Sequence, residues 1–344
     1  MHNRIQYIDV LKGIAMLLVI VGHCVAMQFS DYKEALEGPR DLMFLWRVIY
    51  SFHMPLFAFC SGLLMAKAKE YYTIKNVTNT LLKRAKSLLI PFGAVGCIWY
   101  CINGQWGDHY WFLIVIWECV LVQILISWLC SYFPKWNEHI ESIFLLIIAI
   151  ISLYAYPYLS KYDVFPIIDF SRFHHLFPYY VVGILVTRYH LIERVIMCNW
   201  VFSLALICFV VCTYWLTYMG NTLPLGKITN RLIPMSAICM LTYICKVDGF
   251  VSAKVYGSLS NLGRHSLELY IIHPFFPIPM YFIGERSFEL SEIGGYTNCW
   301  IVFLIQELAA LGASVLIIVC SYAAMWVIGR SSLLSQLLLG RKYT

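Results

Sequence analysis

A chain of 344 residues that is 60% apolar and only 13% charged, with a mean hydropathy of +0.71, is excluded from the ordinary soluble domains, where about a quarter of residues are charged. Its aromatic share of 16% suits interfacial belts and lipid-facing packing better than a water-surrounded core. The formal charge of +6 excludes little by itself, because in a membrane protein the placement of Lys and Arg matters more than their sum.

A spanning helix needs about 20 mainly apolar residues. The sequence predicts ten such stretches, in chain order Val10–Phe29, Leu42–Met65, Leu82–Cys101, Tyr110–Leu129, Ile140–Leu159, Phe173–Thr187, Trp200–Met219, Leu232–Ile244, Leu262–Ile283 and Trp300–Ile328. The first is not a cleaved signal peptide: it contains Asp9 and Lys12, lacks a small-residue cleavage site and is followed by many more spans. The expected fold is therefore all-α, a polytopic integral membrane protein of about ten transmembrane helices, read as one membrane domain over residues 1–344.

Loop charges orient it. With the N-terminus inside and Lys12 and Arg47 set aside as lying within spans, the outer side holds only Lys33, Arg40, Lys161, Arg172, Lys227, Arg231 and Arg286, whereas the inner side collects the other sixteen of the 25 Lys and Arg. The dense run Lys67, Lys69, Lys75, Lys83, Arg84 and Lys86 contributes most to the inner count. That asymmetry predicts both termini on the cytoplasmic side.

The thirteen Cys fall mostly in or beside apolar stretches and form no C-x-x-C pair, so they read as small buried hydrophobes, and no metal site is expected. No Gly-rich phosphate loop or nucleophile elbow is present, and nothing suggests a nucleic-acid partner.

Ionisable groups inside a bilayer are costly, so those that persist are functional candidates. On the first predicted helix, Lys12 and His23 lie within about 20° of each other and about 16 Å apart along the axis, with Asp9 about 40° from His23. An interfacial Asp9–Lys12 ion pair is the structural reading of the first two. In the second stretch, Pro55 removes a backbone donor just beyond His53, opening backbone at membrane depth. Glu118, Glu268 and Glu307 are further intramembrane acids, at least one of which needs a cation or His as partner.

These residues reach a recognisable pattern. Ile8-Asp9-Val10-Leu11-Lys12-Gly13-Ile14-Ala15 leading to Gly22-His23, and Phe52-His53-Met54-Pro55-Leu56-Phe57 leading to Ser61-Gly62, resemble the membrane-bound acyltransferase-3 family. Tyr110-Trp111-Phe112-Leu113, Phe177-Pro178-Tyr179-Tyr180-Val181-Val182-Gly183 and Gly263-Arg264-His265 through His273-Pro274 follow in the expected order. The resemblance covers nearly the whole chain and is greatest to the short, single-domain members grouped with fucose 4-O-acetylases. Many members carry Arg where this chain has Lys12, which keeps the cation and loses the bidentate fork.

The resemblance implies an acyltransferase moving an acyl group other than aminoacyl, usually acetyl, from cytoplasmic acetyl-CoA to a hydroxyl of a cell-surface or lipid-linked glycan, in the plasma membrane and among its lipids. It makes His23, His53 and Asp9 the catalytic candidates, Lys12 and Arg264 the donor-binding ones, and Arg172 and His273 the acceptor-binding ones. His23 then acts as general base, since an imidazole ionises near neutrality, or is itself acylated. Sequence leaves open a proton-coupled transporter or flippase using the same His and acids, and a non-catalytic sensor or scaffold.

Overall fold

A computed structural model of the chain describes residues 6–28, 44–67, 74–132, 138–164, 167–218, 224–247 and 249–341. The loop cations Lys33, Arg40 and Lys69 lie outside these described residues. Among the described residues the one β pairing is an isolated bridge between Val164 and Ile168. The chain is an all-α, multi-pass membrane protein, as a hydrocarbon solvent requires of segments that must satisfy every backbone group internally.

In chain order the helices are α1 (Gln6–Ala26), α2 (Phe44–Lys67), α3 (Ile74–Asn103), α4 (Trp111–Ser131), α5 (Glu138–Leu159), α6 (Phe170–Arg188), α7 (His190–Ile196), α8 (Asn199–Tyr218), α9 (Pro224–Lys246), α10 (Ala253–Arg264), α11 (Ser266–Ile272), α12 (Tyr281–Ile328) and α13 (Ser332–Leu339). Among the described residues eight helices, α1 to α5, α8, α9 and α12, are long and apolar enough to cross a bilayer. The sixth predicted stretch is also helical, as α6, but Arg172, His174 and His175 make its first turns polar.

The ninth stretch, expected as one span over Leu262–Ile283, is corrected. It is divided into the end of α10, α11 and a 3-10 turn over His273–Phe275. His265 leaves helical geometry between α10 and α11, with φ −104° and ψ 14°. Beyond His273, Pro274, Pro277 and Pro279 withhold backbone donors and prevent an α-helix from continuing. The tenth stretch belongs to a helix of 48 residues, about 72 Å long at 1.5 Å per residue, so it extends well beyond the roughly 30 Å hydrocarbon layer.

Two compact units emerge: residues 1–56 with 196–325, and residues 57–195 with 326–344. The division falls within α2, one residue after the Pro55 that interrupts its backbone bonding.

In the first unit α1 packs against α9, α10 and α11. Gly13 and Gly263 allow this contact: a Cβ on Gly13 would collide with the Leu259 carbonyl, and one on Gly263 with the Asp9 carbonyl. Such small residues let backbones touch where no water is available to drive association. α8 packs on α9, pinned where the Tyr243 hydroxyl donates to Asn199 Oδ1 at 2.7 Å. The opposite side of α8, with Leu204, Ile207 and Val211 exposed, has the apolar character a lipid-facing surface needs.

In the second unit α2 meets α6 through Gly62 and Gly183, again with carbonyls of the partner helix where a Cβ would stand. α4, α5 and α6 share a polar network. Arg188 pairs with Glu141 at 2.7 Å, Ser127 donates to the same carboxylate at 2.6 Å, and the Tyr180 hydroxyl donates to Gln123.

Candidate active site

α1 carries His23 three residues before its Ala26 end. Facing it is His273, the first residue of the 3-10 turn that follows α11. The break at His265 and the prolines after His273 thus turn a predicted straight span into a segment that delivers an imidazole to α1. His273 Nε2 lies 3.2 Å from His23 Nδ1, with ring centroids 5.1 Å apart.

The protons on this pair can be ordered. His273 Nδ1 lies 2.9 Å from the Leu269 carbonyl, which only accepts, so Nδ1 carries the hydrogen. In a neutral ring the other nitrogen, Nε2, is then an acceptor, and His23 must donate to it from Nδ1. His23 Nε2 is left with a lone pair, the form a proton-abstracting base requires.

His53 repeats the arrangement one helix away, its Nδ1 donating to the Ile49 carbonyl at 2.7 Å, with the ring buried. Tyr50 stands between them. Its ring is 4.9 Å from that of His53 and 6.4 Å from that of His23, and Trp46 stacks on it at 4.2 Å. His23 and His273 are therefore in direct contact, and His53 borders the pair through Tyr50. Tyr50 is absent from the motif-based candidates. Its only sequence signal is its position one turn before His53, at the i,i+3 spacing that brings helical side chains together.

Asp9 and Lys12 sit toward the other end of α1. Lys12 Nζ is 3.3 Å from Asp9 Oδ1, with both side chains largely buried. From Asp9 to His23 is 14 residues, about 21 Å along the axis, so Asp9 does not join the imidazoles. Its neighbour across the helix contact is Gly263, which puts Arg264, exposed at the end of α10, at the Asp9–Lys12 level. Lys246 also lies at this end, over the Tyr7 ring at 4.6 Å.

Arg172 belongs to the second unit. Its guanidinium pairs with Asp169 at 2.8 Å and lies over Trp111, 5.0 Å from the ring centroid. Asp169 caps α6 by accepting from the Arg172 backbone N–H, while its own N–H donates to Glu118 at 2.9 Å. Glu118 thus finds a backbone partner. Glu268 is buried in α11. Both carboxyl oxygens of buried Glu307 lack a hydrogen-bond partner among the described residues. No group of three His, Cys, Asp or Glu able to hold a metal occurs among the described residues.

Comparison with known proteins places the chain in a family. A family model of the acyltransferase-3 type, described as an acyltransferase domain, matches residues 5–330. A nodulation protein, NolL, of Mesorhizobium japonicum is 37% identical over 93 residues, a match covering 26% of this chain and 22% of that protein. The similarity therefore spans about a fifth of that relative's length. No solved structure matches.

Proposed function

Because the chain belongs to the acyltransferase-3 family, and so is a membrane acyltransferase, we propose that it is an O-acetyltransferase of the plasma membrane. In this proposal it moves acetyl from cytoplasmic acetyl-CoA to a hydroxyl of a cell-surface or lipid-linked glycan. His23 is the general base. The observation that carries this role is the hydrogen-bonded order from the Leu269 carbonyl through His273 to His23, which makes Nε2 the basic nitrogen of the neutral His23 ring.

In the proposed reaction an acceptor hydroxyl gives its proton to His23 Nε2 as its oxygen attacks the thioester carbonyl. The carbon–sulfur bond breaks, and the proton passes from His23 to the departing CoA thiolate. His273 holds the ring orientation and shares the positive charge of the transient imidazolium. Lys12 and Arg264 form a cationic end suited to the CoA phosphates. Arg264 is exposed and available, while Lys12 is partly neutralised by Asp9, so Arg264 takes the larger share. Lys12 lies eleven residues, about 16 Å, along α1 from His23, a gap that the extended pantetheine arm of the donor has to bridge.

The test is incorporation of radiolabelled acetyl into total cell glycans, wild type against His23→Ala at matched expression. Loss of labelling supports the assignment, and equal labelling in both overturns it. Solute uptake that needs a proton gradient and no acyl-CoA would favour a transporter.

A further inference from the structure

Beyond His23, the same end of α1 holds buried polar groups that the reaction above does not use. Gln28 is fully buried, Gln306 is 1% exposed and Glu307 8%. The Gln28 amide donates to the Gln306 backbone carbonyl at 2.9 Å. This bond leaves Gln28 Oε1, both side-chain atoms of Gln306 and both carboxyl oxygens of Glu307 without a hydrogen-bond partner among the described residues. Five polar atoms withdrawn from solvent and left unmatched are a substantial cost. Native proteins satisfy the great majority of such atoms, so a cluster of exceptions calls for a reason.

Three contacts fix where the cluster lies. His273 touches His23, the Met280 N–H reaches the Met27 carbonyl at 3.4 Å, and Gln28 holds residue 306. All fall within residues 23–28, at the end of α1 and the turn that follows it. Gln28 is five positions after His23, roughly 7.5 Å at helical rise. Glu307 lies on the buried stripe of α12 with Gln306, Ala310, Ser314 and Ile317, while Leu304, Ile305 and Leu308 on the other side are exposed. The unmatched groups therefore point into protein and not toward lipid.

We propose that Gln28, Gln306 and Glu307 form the seat of the acceptor, holding a neutral sugar ring through its hydroxyls. This rests on the acyltransferase reading of His23. The chemistry fits a polyol: the unmatched atoms are one amide donor and four acceptor oxygens. Vicinal hydroxyls, each both donor and acceptor, can satisfy such a set in pairs. Gln28, Gln306 and Glu307 contribute no cation to pair with an anionic sugar, so uronic acids are disfavoured. Gln28 follows His23 by five positions in the chain, about 7.5 Å at helical rise, so the seated ring or its neighbour has to carry one hydroxyl back to Nε2.

The experiment uses the purified full-length protein in nanodiscs, titrated by tryptophan fluorescence with methyl glucoside, methyl galactoside, methyl fucoside and the methyl glycoside of galacturonic acid. At least one neutral glycoside binds wild type, and the uronate binds more weakly. Gln306→Leu and Glu307→Leu each weaken the neutral ligand by about tenfold or more, the loss of one or two hydrogen bonds, while His23→Ala retains it. Because both substitutions remove unmatched buried groups, they leave the melting temperature unchanged or raised. Failure of every neutral glycoside to bind, unchanged binding in both variants, a uronate bound as tightly, or binding lost together with a lowered melting temperature would each overturn the seat. Binding without acetyl transfer would uphold the seat and sink the acyltransferase chemistry of His23. Transfer whose acceptor KM neither variant moves would do the reverse.

Discussion

His23 Nδ1 and His273 Nε2 lie 3.2 Å apart, and because His273 Nδ1 is anchored to the Leu269 carbonyl, the proton between the two neutral rings belongs to His23. An imidazole held from one side in this way has a fixed tautomer and a fixed ring plane. That is the service a positioning residue gives a base, and it predicts a graded response at position 273. General acid–base catalysis contributes about 100- to 10,000-fold, and losing the ring's orientation forfeits part of that, about 10- to 100-fold. His273→Ala should therefore lower kcat by about that factor with the acetyl-CoA KM little changed. His273→Gln, whose Oε1 can still accept from His23, should recover part of the loss. Steady-state kinetics on the three proteins decides it; equal kcat in His273→Ala and wild type would remove His273 from the mechanism.

Lys12 and Asp9 form a mostly buried pair, so Lys12 has two separable roles. Removing only the cation leaves a carboxylate uncompensated, a change that costs roughly 3 kcal/mol when a buried pair is broken. Lys12→Met should destabilise by about that amount, and Asp9→Asn combined with it should restore most of the stability. If Lys12 also meets the donor, the acetyl-CoA KM stays raised in the double variant. Thermal unfolding in detergent and donor titration separate the two roles. A double variant as unstable as the single one would mean that the pair is not what holds this end of α1.

The sequence shows much of this site residue by residue and little of its assembly. His23, His53 and His273 stand out because each is a polar group in an apolar run, and the Asp9–Lys12 pair follows from i,i+3 spacing. The meeting of His23 with His273 does not follow, since it spans 250 positions and depends on a break at His265. Hydropathy cannot see that break, because His265 and the prolines beyond it sit among residues apolar enough to average as one span. Gln28 and Gln306 are silent for a different reason: a single glutamine near a helix end looks interfacial until the contact that buries it is known. Arg172 is legible as a cation near the start of the sixth stretch, but not its pairing with Asp169, which lies before the predicted helix.

The packing of α1 on α10 gives a stability prediction independent of the chemistry. A Cβ at position 13 would enter the Leu259 carbonyl, backbone that cannot rotate away, so Gly13→Ala should cost about 1–3 kcal/mol or more. Gly93 in α3 is the control, because a Cβ there meets nothing within 4 Å. Gly93→Ala should be neutral or stabilising by up to about 1 kcal/mol, from helix propensity alone. Melting temperatures of the two variants check both, and a well-folded Gly13→Ala would contradict the close contact.

The assignment of donor and acceptor to opposite ends of α1 requires the Asp9 end to face the cytoplasm, as the basic run from Lys67 to Lys86 argues. A tag appended after Thr344 should then be reached by a membrane-impermeant reagent only after the cell is opened. Labelling of intact cells would reverse the sides and put Lys12 and Arg264 away from acetyl-CoA.

Arg172 offers the last separation, between anchoring and recognition. Its side chain is 34% exposed, so the pair with Asp169 contributes little stability by itself, on the order of 1 kcal/mol or less. Asp169 matters more to the fold, because it also caps α6, a role whose loss costs about 1 kcal/mol. Arg172→Ala should thus fold normally. If the guanidinium over Trp111 meets the acceptor, its loss raises the acceptor KM several-fold without moving the acetyl-CoA KM. Arg172→Lys should not restore the value, because an ammonium lacks the planar face that lies over the indole ring. Asp169→Asn keeps a capping oxygen and removes the charge that restrains Arg172, so its acceptor KM should stay near wild type. An acceptor KM unchanged in Arg172→Ala would make this arginine a support of the α6 start and nothing more.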